Sequence, residues 1–201
     1  MCLARDAGAR GLAGAEDPNP PRLLALRKLT YLVASTLDGQ IALADGSFDC
    51  FAAAGYDHVA DYLEAVQRFS AVIMGRNTYD VGLRAGVTDP YPALETYVVS
   101  ASLKESPDPK VRLIAGDPAG FVRRLKATEG GAIYLCGGAR LAAELLEAGL
   151  IDEIAVKLNP LVTGSGIPLF AWVKSPVLLA LEGVKTYANG VVWLTYRLKP
   201  G

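Results

Sequence analysis

The feature that most constrains the fold is a short apolar run leading directly into a polar turn, VIMGRNTY at residues 72–79. The letters VIM are typical of a strand that is buried on both faces of a parallel sheet. Gly75 lets the backbone turn at the carboxyl end of that strand, and Thr78 then falls near the start of a helix. Ligands of open α/β sheets bind at this end, where a helix amino terminus favours an anion. Arg76 is therefore a candidate phosphate ligand, and the alternative is a core strand followed by a solvated arginine.

A second segment of the same kind follows about sixty residues later, AIYLCGGARLAAELL at residues 132–146. The letters IYL predict another buried strand, and the spaced leucines predict one face of a helix. Between them, Gly137 and Gly138 leave room for a backbone to approach a pyrophosphate. The chain contains neither GxGxxG nor GxxxxGK[ST], so it has neither the Rossmann fingerprint nor a P-loop. By itself the Gly-Gly pair also fits an ordinary strand-to-helix turn.

Composition narrows the class of protein. The 201 residues fit one domain, and 51% hydrophobic residues are ample for a core. A formal net charge of −1 argues against general affinity for nucleic acid or an anionic membrane, and no apolar run reaches the roughly 18 residues that span a bilayer. Cys2, Cys50 and Cys136 match neither a disulfide framework nor a metal site. We therefore expect a cytoplasmic protein without a metal, a nucleic-acid partner or a membrane partner.

The order of predicted elements indicates an α/β protein. Residues 1–22 are rich in Ala, Gly, Arg and Pro and are predicted to be a flexible tail, followed by one domain at residues 23–201. Strands alternate with helices, which predicts a mainly parallel sheet covered on both faces and closed by an antiparallel hairpin. The predicted helices cover residues 57–68, 118–126 after the capping Asp117, and 139–148, and the hairpin strands cover 177–184 and 191–198.

Taken in order, five motifs resemble the dihydrofolate reductase-like superfamily, and more narrowly its RibD C-terminal domain family, which is related to the reductase of riboflavin biosynthesis. The resemblance covers roughly residues 28 to 198. The motifs are STLDGQIA at 35–42, VIMGRNTY, YVVSASL at 97–103, CGGARL at 136–141 and LIDEI…PLVTGSGIPLF at 150–170.

The resemblance implies a three-layer dihydrofolate reductase-like fold, a homodimer and hydride transfer from NADPH to a C=N or C=O bond of a small polar heterocyclic or sugar-derived substrate. The sequence departs both from the riboflavin-pathway reductase and from true dihydrofolate reductases, so the resemblance does not assign one substrate. Gly82 stands where the riboflavin reductase has an acid, and the segment before the first helix lacks the Pro-Trp of true dihydrofolate reductases. No zinc deaminase signature precedes the domain. The alternatives are therefore a dihydrofolate reductase proper and a non-catalytic nucleotide-binding module.

The resemblance also implies which residues contact the cofactor. The VIMGRNTY segment would hold phosphates, the CGGARL segment the pyrophosphate, and Ser100, with Ser102 and Lys104 nearby, the adenosine end. The hydroxyls and basic groups favour the 2′-phosphate of NADPH over NADH. The cofactor contacts predicted in this way are Ala34, Gly75, Arg76, Asn77, Thr78, Ser100, Gly137, Gly138, Ala139, Arg140 and Leu141.

Two acids are candidate catalytic residues on the substrate side. Asp38, in the loop after the first strand, could orient a polar substrate or deliver a proton through water, but Asp-Gly is also a strong turn signal. Asp61 comes near the place of the pocket acid of true dihydrofolate reductases. Asp57 and Glu64 share its predicted helix, where acids most often face solvent.

Overall fold

The computed structural model describes residues 26–199, so the predicted tail at residues 1–22 lies outside the described part. Four α-helices and one 3-10 helix at Asp49–Ala54 accompany the strands. The helices are α1 (Val59–Val66), α2 (Arg76–Arg84), α3 (Pro118–Lys126) and α4 (Ala139–Glu147). The strands are β1 (Leu29–Thr36), β2 (Gln40–Ala42), β3 (Phe69–Gly75), β4 (Glu95–Val99), β5 (Arg112–Ile114), β6 (Ala132–Gly137), β7 (Glu153–Asn159), β8 (Ile167–Pro168), β9 (Leu179–Thr186) and β10 (Val192–Leu198).

Eight strands form one sheet in the order β5-β4-β3-β6-β1-β7-β10-β9, while β2 and β8 pair separately. The first six of these strands are parallel, and β10 runs antiparallel to both β7 and β9. The mainly parallel sheet and its antiparallel terminal hairpin are therefore confirmed. The hairpin's first strand begins at Leu179, two residues later than predicted.

Both faces of the sheet are covered by helices, which gives the predicted three layers. Side chains alternate along each strand, as the two-residue repeat of a strand requires. In β3, Ala71 and Ile73 pack against α3 and α4, whereas Val72 and Met74 pack against α1 and α2. These two surfaces are called the α3–α4 face and the α1–α2 face below. Because both are buried, the central strands read as unbroken apolar runs.

The helix boundaries follow local signals. Asp117 caps α3 by accepting a hydrogen bond from the backbone N–H of Gly120 at 2.8 Å, as predicted. Helix α4 ends at Glu147, and Gly149 adopts φ +65° just beyond it. Helix α1 is shorter than the predicted 57–68, because the chain must leave the helix to begin β3 at Phe69. Within residues 26–199, no helix combines the length and the apolar composition needed to cross a membrane.

A buried lysine joins α3 to the amino ends of the sheet. The Lys126 ammonium, whose side chain is 8% exposed, lies 2.5 Å from the Asp152 carboxylate and donates to the carbonyl of Leu150 at 2.9 Å. The same carboxylate oxygen accepts a hydrogen bond from the backbone N–H of Leu29 at 2.7 Å. Asp152 therefore neutralises the buried charge and fixes the start of β1.

Asp38 joins the loop after β1 to the loop after β7. Its carboxylate accepts hydrogen bonds from the Thr36 hydroxyl at 2.5 Å, from the N–H of Gly164 at 2.8 Å and from the N–H of Thr163 at 3.3 Å. The hydrogen bond from the Thr36 hydroxyl contributes most to holding the pKa of Asp38 below its ordinary value. Desolvation opposes this effect, and the Gly164 and Thr163 amides then lower the pKa further.

Asp152→Ala is expected to lower the free energy of unfolding by about 3 kcal/mol, because it leaves the Lys126 ammonium buried without its carboxylate. Urea unfolding measures the change. Lys174→Ala is the matched control: Lys174 forms an ion pair with Glu147, but its side chain is 83% exposed, so no measurable loss is expected. Equal stabilities of the two variants would contradict the role of Asp152.

Asp38→Ala is expected to accelerate amide hydrogen exchange at Thr163 and Gly164 by at least about tenfold, because both lose their acceptor. A carboxyl whose folded pKa is lowered stabilises the fold above its unfolded pKa of about 3.9. In the parent protein, protection of these amides should therefore be lost as the pH falls through the folded pKa. Asp45→Ala, which removes an acceptor within a separate turn, should leave both amides unchanged.

Candidate functional site

Two strand-to-helix turns meet at the carboxyl ends of the neighbouring parallel strands β3 and β6. Gly75 forms the first turn and Gly137-Gly138 the second, with a cis peptide bond between the paired glycines. A Cβ placed on Gly75 would lie 3.7 Å from the backbone nitrogen of Gly138. The two turns are therefore close to van der Waals contact, and together they form the floor of the candidate site at this edge of the sheet.

Thr78 closes that floor from the first turn of α2. A Cβ on Gly137 would lie 3.3 Å from the Thr78 hydroxyl oxygen, and a Cβ on Gly138 would lie 3.4 Å from it. Gly137 also has φ +144°, which side chains rarely tolerate. The absence of side chains at both positions is therefore what lets Thr78 pack closely against the second turn.

The amino termini of α2 and α4 both point to this site. Neither helix has a side-chain cap, and neither has an acid in its first turn. Their first backbone N–H groups are consequently available to an anion, and the helix dipoles favour one. Helix α3 differs, since Asp117 already occupies its amino terminus.

The predicted basic ligands flank the turns. Arg76 is the first residue of α2, and its Nε donates to the Asp80 carboxylate at 2.6 Å, so both side chains are held half-buried at the rim. Asn77, the next residue, lies in the same first turn. At α4, the guanidinium of Arg140 lies 5.5 Å from the ring centroid of Trp172, which is 77% exposed.

The other predicted cofactor contacts lie at the same edge of the sheet, with different side-chain environments. Ser100 follows β4 and is buried, and its hydroxyl accepts from the N–H groups of Leu103 at 3.0 Å and Ser102 at 3.3 Å. Ala34 is half-buried in β1. Ala139 and Leu141 are both buried, Leu141 in the α3–α4 face, so only their backbone can meet a ligand.

The two candidate acids lie apart from the glycine turns and from each other. Asp38 is held in the contact between loops described above. Asp61 faces the terminal hairpin: its carboxylate accepts from the Tyr187 hydroxyl at 2.5 Å and pairs with Lys185. The hydrogen bonds from Lys185 and then Tyr187 lower the pKa of Asp61. Both acids are therefore ionised at neutral pH, and their catalytic roles stay predictions.

Asp61 instead borders a cavity of about 530 Å³ beneath α1. The cavity's apolar wall includes Leu32, Ala65 and Trp193 on the α1–α2 face. The amino-terminal residues of β1, β3, β6 and β7 complete it, so it opens toward the strand ends opposite the glycine turns. Among the described residues, no cluster of three His, Cys, Asp or Glu side chains could hold a metal ion.

Sequence reasoning missed a polar group on the α1–α2 face. The Nζ of Lys157, in β7, lies 3.9 Å from the ring centroid of Tyr62. The Tyr62 hydroxyl in turn lies 3.0 Å from the Tyr91 hydroxyl. The only signal was a lysine inside the apolar strand EIAVKLN, which reads equally well as the solvent side of a strand. Its position opposite Tyr62 depends on where α1 crosses the sheet.

Comparison with known proteins identifies the family. The family model described as the RibD C-terminal domain matches residues 27–193. The chain is also 34% identical over 168 residues to the uncharacterized protein YwjB of Bacillus subtilis, covering 82% of this chain and 95% of YwjB.

Solved structures agree with that assignment. A protein of Shewanella sp. PV-4 that is described as a riboflavin biosynthesis protein superposes with a TM-score of 0.77 at 26% identity. The match covers 86% of this chain and 99% of the Shewanella chain. Dihydrofolate reductase from Enterococcus faecalis, complexed with NADP(H), superposes with a TM-score of 0.64 at 15% identity, covering 86% of this chain and 97% of that one. The predicted resemblance is thus confirmed: the chain belongs to the RibD C-terminal domain family and has a dihydrofolate reductase-like fold.

Proposed function

We propose that this protein is an NADPH-dependent reductase, related to the riboflavin-pathway reductase, that transfers a hydride to a C=N or C=O bond of a small polar heterocyclic or sugar-derived substrate. The observation that carries the proposal is the convergence of two uncapped helix amino termini on the Gly75 and Gly137-Gly138 turns. Membership of the RibD C-terminal domain family supports the same class of reaction.

The site fits the phosphates of a dinucleotide. The first N–H groups of α2 and α4 are free to donate to phosphate oxygens, and Thr78 adds a hydroxyl between the two turns. Because Gly137 and Gly138 carry no side chains, Thr78 packs against the second turn, which brings its hydroxyl close to the amino terminus of α4. In this proposal Arg140 and the α4 turn hold the pyrophosphate, and the α2 turn holds the adenosine-side phosphate.

Arg76 would select the phosphorylated cofactor. Arg76 begins α2 at the carboxyl end of β3, and Ser100, Ser102 and Lys104 follow β4, the neighbouring strand of the sheet. The Asp80 carboxylate holds the guanidinium in place but occupies only its Nε, which leaves its terminal nitrogens for a 2′-phosphate. Ser100 contributes through its turn, because its hydroxyl oxygen already accepts two backbone N–H groups.

The nicotinamide end would lie toward Ala34 in β1, one strand beyond β6. When bound, the cofactor supplies the hydride, so the protein's own tasks are to orient the acceptor bond and to exclude water. Asp38 would act here by fixing the loop after β1, and Asp61 by fixing α1 against the hairpin. Homodimerisation and a cytoplasmic location remain predictions.

Arg76→Ala is expected to weaken NADPH binding by roughly tenfold or more and NADH binding by much less, because only NADPH carries the 2′-phosphate that the guanidinium would meet. Fluorescence titration with each cofactor measures both affinities. Arg84→Ala, at the exposed far end of the same helix, is the matched control and should change neither. Equal losses for NADPH and NADH in Arg76→Ala would remove the 2′-phosphate role.

Turnover separates a reductase from a non-catalytic binding module. NADPH oxidation followed by absorbance, with a panel of pyrimidine, pteridine and sugar-derived acceptors, is expected to show activity with at least one of them. Binding of NADPH without oxidation by any acceptor would favour the binding module. A lack of any thermal shift with NADPH would reject both.

A further inference from the structure

Lys157 is a half-buried cation without a charged partner, and it lies beside the proposed nicotinamide position. In the sheet it pairs with Ala34 of β1 and with Trp193 of β10. Its ammonium rests on the ring of Tyr62, 3.9 Å from the centroid. Over residues 26–199, no carboxylate forms an ion pair with this ammonium. A cation withdrawn from water in this way is costly unless a ligand supplies the anion.

The groups around Lys157 are neutral and cannot serve as that anion. Burial raises the pKa of the Tyr62, Tyr91 and Tyr134 hydroxyls and of the Cys136 thiol, so all four stay protonated at neutral pH. They form one connected set, with the Tyr91 hydroxyl 3.4 Å from the Cys136 sulfur and 3.0 Å from the Tyr62 hydroxyl. Cys136 directly precedes the Gly137-Gly138 turn, so this polar set reaches the proposed cofactor site.

The remaining charged or titratable neighbours do not change this balance. Burial, followed by the charge of Lys157 itself, lowers the pKa of His58, which is therefore neutral at pH 7. Asp61 and Lys185, at the junction of α1 and β9, form an ion pair with each other. The Asp57 carboxylate also acts on His58, opposing the shift in its pKa, but in the described part of the chain it forms no ion pair with Lys157.

We infer that Lys157 selects the substrate: its ammonium binds an anionic oxygen on a small flat ring that lies against the α1–α2 face. This inference rests on the proposed function and names the substrate class more narrowly. The aromatic side chains of Tyr62 and Trp193 favour a flat ring, and the neighbouring hydroxyls can bind its heteroatoms. An ammonium repels a positively charged ring, whereas a carboxylate in the same pocket would attract one. Lys157 is a specificity residue in this account, because the hydride comes from the cofactor.

Orotate and uracil are matched probes, because they share one flat ring and differ by a carboxylate. Calorimetric titration into the protein saturated with NADPH is expected to show at least about tenfold tighter binding of orotate. Lys157→Met should abolish that difference without changing the NADPH affinity, and Lys157→Arg should keep it. Lys174→Met is the matched control, since it removes a lysine that is 83% exposed beside α4, on the other face of the sheet, and should leave the selectivity unchanged.

The pH dependence distinguishes charge recognition from a structural role. Burial lowers the pKa of Lys157 to about 8, so the ammonium is mostly charged at pH 7 and is lost as the pH rises. Between about pH 7 and about pH 9, orotate affinity should therefore fall in the parent protein and persist in Lys157→Arg, because arginine stays protonated. Uracil binding should not follow this profile.

The possible outcomes separate this inference from the proposed function. Equal binding of orotate and uracil, binding of neither, or unchanged orotate binding in a folded Lys157→Met would overturn the role of Lys157. Circular dichroism establishes that each variant is folded. Failure of NADPH to bind would instead reject the proposed function, and titration of orotate into the protein alone would still test Lys157.

Discussion

The structure depends on burying a mainly parallel sheet on both faces at once. Helices α3 and α4 cover one face and α1 and α2 the other, so each central strand must supply apolar side chains in both directions. This requirement explains the continuous apolar letters of β3 and β6. It also aligns the carboxyl ends of those strands, which places their two glycine turns close together. The candidate site is thus a consequence of how the core is layered.

Polar groups are retained within this framework where a specific partner neutralises them. Lys126 reaches Asp152 across the amino ends of the strands, and Asp38 collects three hydrogen-bond donors between two loops. Lys157 breaks that pattern, since the side chains around it are aromatic or neutral. A half-buried charge without an ionic partner is more typical of a ligand-binding pocket than of a core.

Much of the fold was predictable because its signals are local. Asp117 before a proline predicted the start of α3, and the apolar runs predicted β1, β3 and β6. Strand β5, which is only RLI at residues 112–114, was missed because three residues at a sheet edge are too few to show the two-residue alternation of a strand. The candidate site was predictable where glycines lie in the turns. The partners of Asp61 were not, because Lys185 and Tyr187 lie more than 120 residues away in the hairpin.

The sequence by itself determined the family, the layered α/β fold and the two strand-turn-helix segments, since these depend on residue order and on short-range preferences. The tertiary structure decided which charges are satisfied. It showed that Asp38 and Asp61 are engaged by distant donors and that Lys157 is not engaged by any described acid. Charge pairing depends on distances between elements far apart in the chain, and burial strengthens or removes such pairs through the local dielectric. Neither the distances between such elements nor the burial of a charge can be predicted from the residues next to it in the sequence.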